Sequence, residues 1–143
     1  MLRSRIIPCL LVSNKGLVKT IQFKSPKYVG DPINAVKIFN EKEVDELIVL
    51  DIDATVKNYE PDYKLIKDLA VQSRMPLCYG GGIKTVKQAV KIISLGVEKI
   101  ALSSGAIEAP LLVKEISEGY LEYFFLIILL YTFEKYFYFH LMI

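Results

Sequence analysis

The sequence predicts an α/β fold built from repeating βα units. Three observations carry that expectation. Four short apolar runs recur at residues 5–12, 46–51, 75–79 and 99–103; turn residues follow each; and a helical pattern follows each turn. The runs are apolar at odd and even positions alike, which suits strands covered on both faces, as in a parallel sheet. The order βαβαβαβα favours right-handed crossovers. An open doubly wound sheet and a (βα)8 barrel both begin this way.

The helices announce their ends. Asp31-Pro32 supplies an N-cap and a proline at the first helical position, followed at helical spacing by Ile33, Val36 and Phe39 or Asn40. Pro61-Asp62 opens a second helix with Tyr63, Ile66 and Leu69 or Ala70 inward. Thr85 and Gln88 form a capping box before the stripe Val86, Ala89, Val90 and Ile93, and Gly96 closes that helix. Pro110 starts a fourth, with Leu112, Val113 and Ile116 inward.

Composition bounds the partners. The 143 residues are 52% apolar and 24% charged, which excludes disorder. A net charge of +2 is too balanced for nucleic acid to be the main partner. Cys9 and Cys78 lie inside apolar runs and read as buried free thiols of a reducing compartment rather than a disulfide. Met1 to Arg5 leads into a run broken by Pro8, which is no signal peptide. The expected location is the cytoplasm.

The averages conceal a seam near Ser117. Residues 119–143 hold ten of the sixteen aromatic residues and three of the thirty-four charged ones. Residues 1–118 are therefore expected to form the βα domain, and 119–143 an apolar tail matching no barrel continuation. The uncharged run at 123–133 is eleven residues long, against the ~20 that span a bilayer. A membrane anchor is thus the disfavoured reading, and an out-of-frame end the favoured one.

Ligands of α/β folds collect at the carboxyl ends of the strands. There, Gly80-Gly81-Gly82 runs into a helix start, and Ser103-Ser104-Gly105 follows the next strand. Glycines admit an anion close to backbone N–H groups, so the two turns form a candidate phosphate site; the alternative is two tight turns without a ligand. Residues 14–29 make a connection longer than the usual ~2–6 residues. It carries Lys15, Lys19, Lys24 and Lys27 with no acid, and a strand-like piece at 17–23. This reads as a basic flap or as a solvated lysine face. Asp51 and Asp53 end the second strand, and Asp51 is the better candidate acid, base or hydroxyl-binding group. At the opposite pole Arg5, Glu46 and Lys99 begin three strands, either as paired charges or as solvated punctuation.

With these residues in hand, positions 1–118 resemble the cyclase subunit of imidazole glycerol phosphate synthase. The likeness rests on residues 5–10, Gly30-Asp31-Pro32, residues 45–54, Gly80-Gly81-Gly82-Ile83 and residues 96–99. The resemblance implies half of a (βα)8 TIM barrel, histidine biosynthesis, no cofactor and no metal. It implies that Gly81, Gly82, Ser103 and Ser104 hold a phosphate of a phosphorylated ribosyl substrate. It further implies that Lys19 belongs to a loop closing over that substrate and that Asp51 helps position it. Arg5, Glu46 and Lys99 match a charged ring through which a glutaminase subunit delivers ammonia. The related isomerase of the same pathway is disfavoured, because that ring serves no purpose there.

Alternation puts Arg5, Ile7, Cys9 and Leu11 on one face, and Glu46, Ile48 and Leu50 on one face. Asp51 is then out of phase and has to act from beyond its strand end or across a bulge. The family's strand-one acid/base position holds Leu11, which transfers no proton, so no catalytic residue is expected to be intact. That substitution resembles paralogues associated with surface-polysaccharide genes, which imply ammonia supply for amidation of a sugar. Only four βα units are expected, an incomplete barrel with edges open to self-association. From another class, the chain would be a non-catalytic or membrane-attached interaction protein.

Overall fold

The structure, a computed structural model, describes residues 4–21, 24–120 and 124–126. In chain order its elements are β1 (Cys9–Ser13), β2 (Gly16–Ile21), β3 (Lys24–Gly30), α1 (Pro32–Glu41), β4 (Leu47–Asp51), α2 (Tyr63–Gln72), β5 (Leu77–Gly80), α3 (Val86–Ser94), β6 (Lys99–Leu102), α4 (Ser104–Glu108), α5 (Pro110–Tyr120) and β7 (Phe124–Leu126). One sheet runs β3-β2-β1-β4-β5-β6-β7. From β1 onward all neighbours are parallel, while β1, β2 and β3 are antiparallel. This is a partial (βα)8 barrel.

Each strand divides its side chains between two faces. Leu10, Val12, Leu47, Val49, Leu77, Tyr79, Ile100 and Leu102 enter the core that the helices cover. Ile48, Cys78 and Ala101 form a second buried cluster, with Ile7, Cys9 and Leu50 packed against it. That second cluster is the inner face of the barrel. The helices contribute Val36, Ile66, Leu69, Ala89, Ile92, Leu112 and Ile116 to the outer core. In α3 the expected Val86, Ala89 and Ile93 pack on the core, and the buried Ile92 takes the place expected of Val90.

The expected caps form. The Asp31 carboxylate accepts from the Asn34 N–H at 3.0 Å, and that of Asp62 accepts from the Leu65 N–H at 3.1 Å. Thr85 and Gln88 make the reciprocal capping box, and Gly96 leaves α3 at φ 102°. The choice between Phe39 and Asn40 resolves by chemistry. Phe39 packs on the core, while the Asn40 amide donates to the Gln72 carbonyl at 2.8 Å and accepts from the Arg74 N–H at 3.0 Å, closing the end of α2.

Three expectations are corrected. The first strand starts at Cys9, because Pro8 has no N–H to give to a ladder. Residues 6–8 still run beside β4: the Asp45 N–H donates to the Ile6 carbonyl at 3.0 Å and the Ile48 N–H to the Pro8 carbonyl at 2.9 Å. The strand-like piece expected at 17–23 is β2. The rest of the long connection is no loop but β3, the two making a hairpin joined to β1 by the two-residue turn Asn14-Lys15 at φ 48° and 64°. Asn14 was the local signal, since both central residues of such a turn need positive φ. Between β6 and α5 the short α4 was also missed.

Residues 124–126 pair in parallel with β6, Ile100 opposite Phe124 and Leu102 opposite Leu126. A β-prone Phe-Phe-Leu triplet after α5 is what a further βα repeat supplies. Part of the segment expected to match no barrel continuation thus extends the sheet. The remaining expectations for 127–143 lie outside the described residues. Among the described residues, no helix is long and apolar enough to cross a membrane.

Replacing Thr85 by alanine removes the cap at the start of α3. A loss of about 1 kcal/mol is expected, read as a lower urea midpoint with an unchanged slope.

Candidate functional site

A cavity of about 390 Å³ opens at the carboxyl ends of β4, β5 and β6. Its lining brings together Asp51, Gly81, Gly82, Ser103 and Ser104, five of the six residues expected to meet substrate. Leu50, Ile52, Val56, Ile83 and Leu102 give it apolar walls.

The glycines are fixed by packing as well as by any ligand. Gly81 at φ 122° and Gly82 at φ 70° are in the left-handed region that side chains resist. A Cβ on Gly81 would sit 2.4 Å from the Asp51 carbonyl oxygen, and one on Gly82 would sit 2.8 Å from the Ala54 Cβ. The turn after β5 therefore lies directly against the loop after β4. The serines differ. Among the described residues neither the Ser103 nor the Ser104 hydroxyl has a hydrogen-bond partner, and Ser103 leaves α4 without a side-chain cap. Two uncommitted hydroxyls facing a glycine turn can hold an anion by direct hydrogen bonds, which are stronger when the acceptor is charged. Since α4 has only five residues, its dipole is a minor contributor.

Asp51 is out of phase with Glu46, as alternation leads one to expect. It lies within β4, opposite Val12 and in phase with Leu47 and Val49, so its side chain leaves the inner face. Its Oδ1 accepts from the Asp53 N–H at 2.9 Å, the Ala54 N–H at 3.1 Å and the Tyr59 hydroxyl at 3.1 Å. Burial pushes the Asp51 carboxyl up, and these hydrogen bonds oppose that shift. Burial and the neighbouring Asp51 charge also raise the Tyr59 hydroxyl, which remains a donor. The carboxylate thus braces the loop that walls the cavity. Sequence reading missed Tyr59, Thr55 and Lys57, which act through this fold-back; no periodic signal marks them.

Asp53 ties that loop to the first turn, accepting from the Ser13 hydroxyl at 2.8 Å, the Asn14 N–H at 3.0 Å and Lys57 Nζ at 2.9 Å. These partners, opposing a desolvation effect, hold its carboxyl below the usual range. Lys19 is exposed on β2 opposite Lys27, and does not line the cavity.

At the other pole the three expected charges meet. Glu46 Oε2 accepts from Arg5 at 2.9 Å and Oε1 from Lys99 Nζ at 2.6 Å, with Glu46 only 4% exposed. On the inner face Cys9, Ile48 and Cys78 share one register row with Lys99, and Leu11, Leu50, Gly80 and Ala101 form the next. Both cysteines are free. Burial pushes the Cys9 thiol up to about 11 and the Cys78 thiol up to about 12, so neither is a nucleophile at neutral pH. Leu11 occupies the inner face next to Leu50, where it offers no proton-transfer group. Among the described residues no cluster of three metal-ligating side chains occurs.

The sequence profile of a family described as histidine biosynthesis protein matches residues 5–126. The chain belongs to that family. The matched stretch ends with β7, past the boundary expected at residue 118. Similar curated proteins include a provisionally named imidazole glycerol phosphate synthase subunit of Vibrio vulnificus (strain YJ016), 63% identical over 118 residues. That alignment covers 82% of this chain and 45% of the relative. A provisionally named subunit of the same synthase from Pseudomonas aeruginosa is 58% identical, over 84% of this chain and 48% of the relative. The imidazole glycerol phosphate synthase subunit of Methanococcus maripaludis (strain C5) is 42% identical, over 82% and 43%. The chain spans about half the length of the curated relatives it matches.

Gly81→Ala drives a methyl into the Asp51 carbonyl, which belongs to a central strand and cannot move aside. A destabilisation of about 1–3 kcal/mol is expected, measured by urea unfolding, with amide shifts spreading from residue 81 to residues 51–54.

Proposed function

We propose that this chain provides the phosphate-binding half of a cyclase-like site that joins ammonia to a phosphorylated ribosyl substrate. The observation that carries the reading is that Ser103 and Ser104, whose hydroxyls have no partner among the described residues, line one cavity with Gly81 and Gly82. Packing accounts for the glycines, but the fold asks nothing of these hydroxyls. Asp51 positions the substrate indirectly, by bracing the loop at 52–61. Lys19 comes from the hairpin, which has to fold toward the cavity for its ammonium to reach the ligand.

Ammonia enters at the opposite pole. Glu46 holds Arg5 and Lys99 together at the strand starts, where a glutaminase subunit would dock. Beyond this ring the inner face is apolar, from Ile7 and Cys9 through Ile48, Cys78 and Leu50. Such a lining suits neutral ammonia and rejects ammonium, whose burial without a partner is costly.

Leu11 favours a second reading for the same architecture: ammonia delivery for amidation of a surface-polysaccharide sugar, without ring closure. An apolar residue extends the conduit where ring formation requires an acid. A positioned acid or base contributes ~10²–10⁴ in rate, so its absence separates the two activities.

Titration of the chain with inorganic phosphate, followed by amide spectra, should give saturable shifts at residues 81–83 and 103–105. Ser104→Ala should weaken binding about tenfold or more, as expected for a hydrogen bond to a charged group. Shifts scattered over the lysines would sink the phosphate site. In a barrel completed with its remaining units, Leu11→Asp should raise cyclisation and leave ammonia transfer unchanged; equal effects on both would remove the conduit reading.

A further inference from the structure

We propose that Asp53 is a positioning residue for the lysine-bearing β2–β3 hairpin, fastening it to the loop that walls the cavity. The hairpin has little apolar anchorage of its own. Six of the seven residues of β3 are exposed, Ile21 on β2 is 78% exposed, and Lys19 stands directly opposite Lys27. Like charges in that relation weaken a strand pair. Only Leu17 and Val18 of β2 are well placed for apolar contact, Val18 being buried and Leu17 packed on the outer core.

Beyond the ladder that pairs Gly16, Leu17 and Val18 with β1, what fastens the hairpin is polar and sits at its base. Asp53 Oδ2 gathers the Ser13 hydroxyl, the Asn14 N–H and Lys57 Nζ, and Lys57 Nζ also donates to Asn14 Oδ1 at 3.2 Å. Asn14 and Lys15 both adopt positive φ, a conformation that Asn tolerates and that Lys resists. A turn of that kind persists only where its surroundings hold it. Asp53 reaches it from the loop after β4 together with Lys57, and Lys15 adds an ion pair with Asp62 at 3.0 Å. The other charged or titratable groups around Asp53 are Asp51 and Tyr59, themselves joined by a hydrogen bond.

Lys57 gives the arrangement its link to the site. It belongs to the same loop as Ile52, Thr55 and Val56, which line the cavity. A ligand that shifts this loop therefore shifts the seat of the hairpin that carries Lys19. This last link rests on the reading of the cavity as an anion site; the fastening itself does not.

Amide hydrogen exchange on the full chain at one pH tests the fastening. Lys57→Met and Asp53→Asn should each speed exchange at residues 16–21 and 24–30 about tenfold or more, leaving β4, β5, β6 and α3 as they were. Lys57→Arg should restore protection, and the double variant should exchange no faster than the more severe single one. Unchanged hairpin exchange, an equal rise throughout the core, or failure of arginine to rescue would each overturn the proposal. Absence of phosphate binding by the unsubstituted chain would count against the cavity reading alone and leave the exchange result standing.

Discussion

Parallel strands cannot follow one another by a tight turn, and every other feature of this chain depends on how the crossovers meet that constraint. Among the described residues all four crossovers use helices that lie on one side of the sheet, so half of each strand's side chains enter a conventional core. The other half face a surface that no crossover covers. On that surface the charges at the strand starts, the apolar row above them and the turns at the strand ends form successive levels. Stability is assigned to the outer face, and the inner face is left for chemistry.

Much of this was legible where the signal is local. Asp31-Pro32, Asp62 and the Thr85/Gln88 pair each set a helix start through bonds spanning three residues, so the sequence alone places them. The inner face was legible too, because alternation from Glu46 to Ile48 and Leu50 is a property of any strand. The same alternation placed Asp51 out of phase, and the structure shows where its carboxylate goes instead.

What stayed hidden depends on contacts between distant residues. Tyr59 returns to Asp51 and Lys57 to Asp53 through a fold-back with no period. Of the β2–β3 hairpin only the strand-like piece at 17–23 is legible, because β3 is almost wholly exposed and the turn into β2 uses Asn14-Lys15 rather than a glycine pair. In α3 only Val90 is exchanged for Ile92, since Val90, Ile92 and Ile93 are all apolar and the pattern does not choose among them. Each miss is a case of tertiary contact deciding between locally equivalent options.

The close approach of Gly81 to the Asp51 carbonyl has a bearing on how such sites change over time. A residue required for packing is retained whether or not a ligand is bound, because losing it damages the sheet. The glycine turn would therefore survive in descendants that had abandoned the substrate altogether. Ser103 and Ser104 carry no such obligation, and drift would erase them first. On the proposed phosphate-binding reading, the serines, rather than the more conspicuous glycines, are the record of whether the site is still in use.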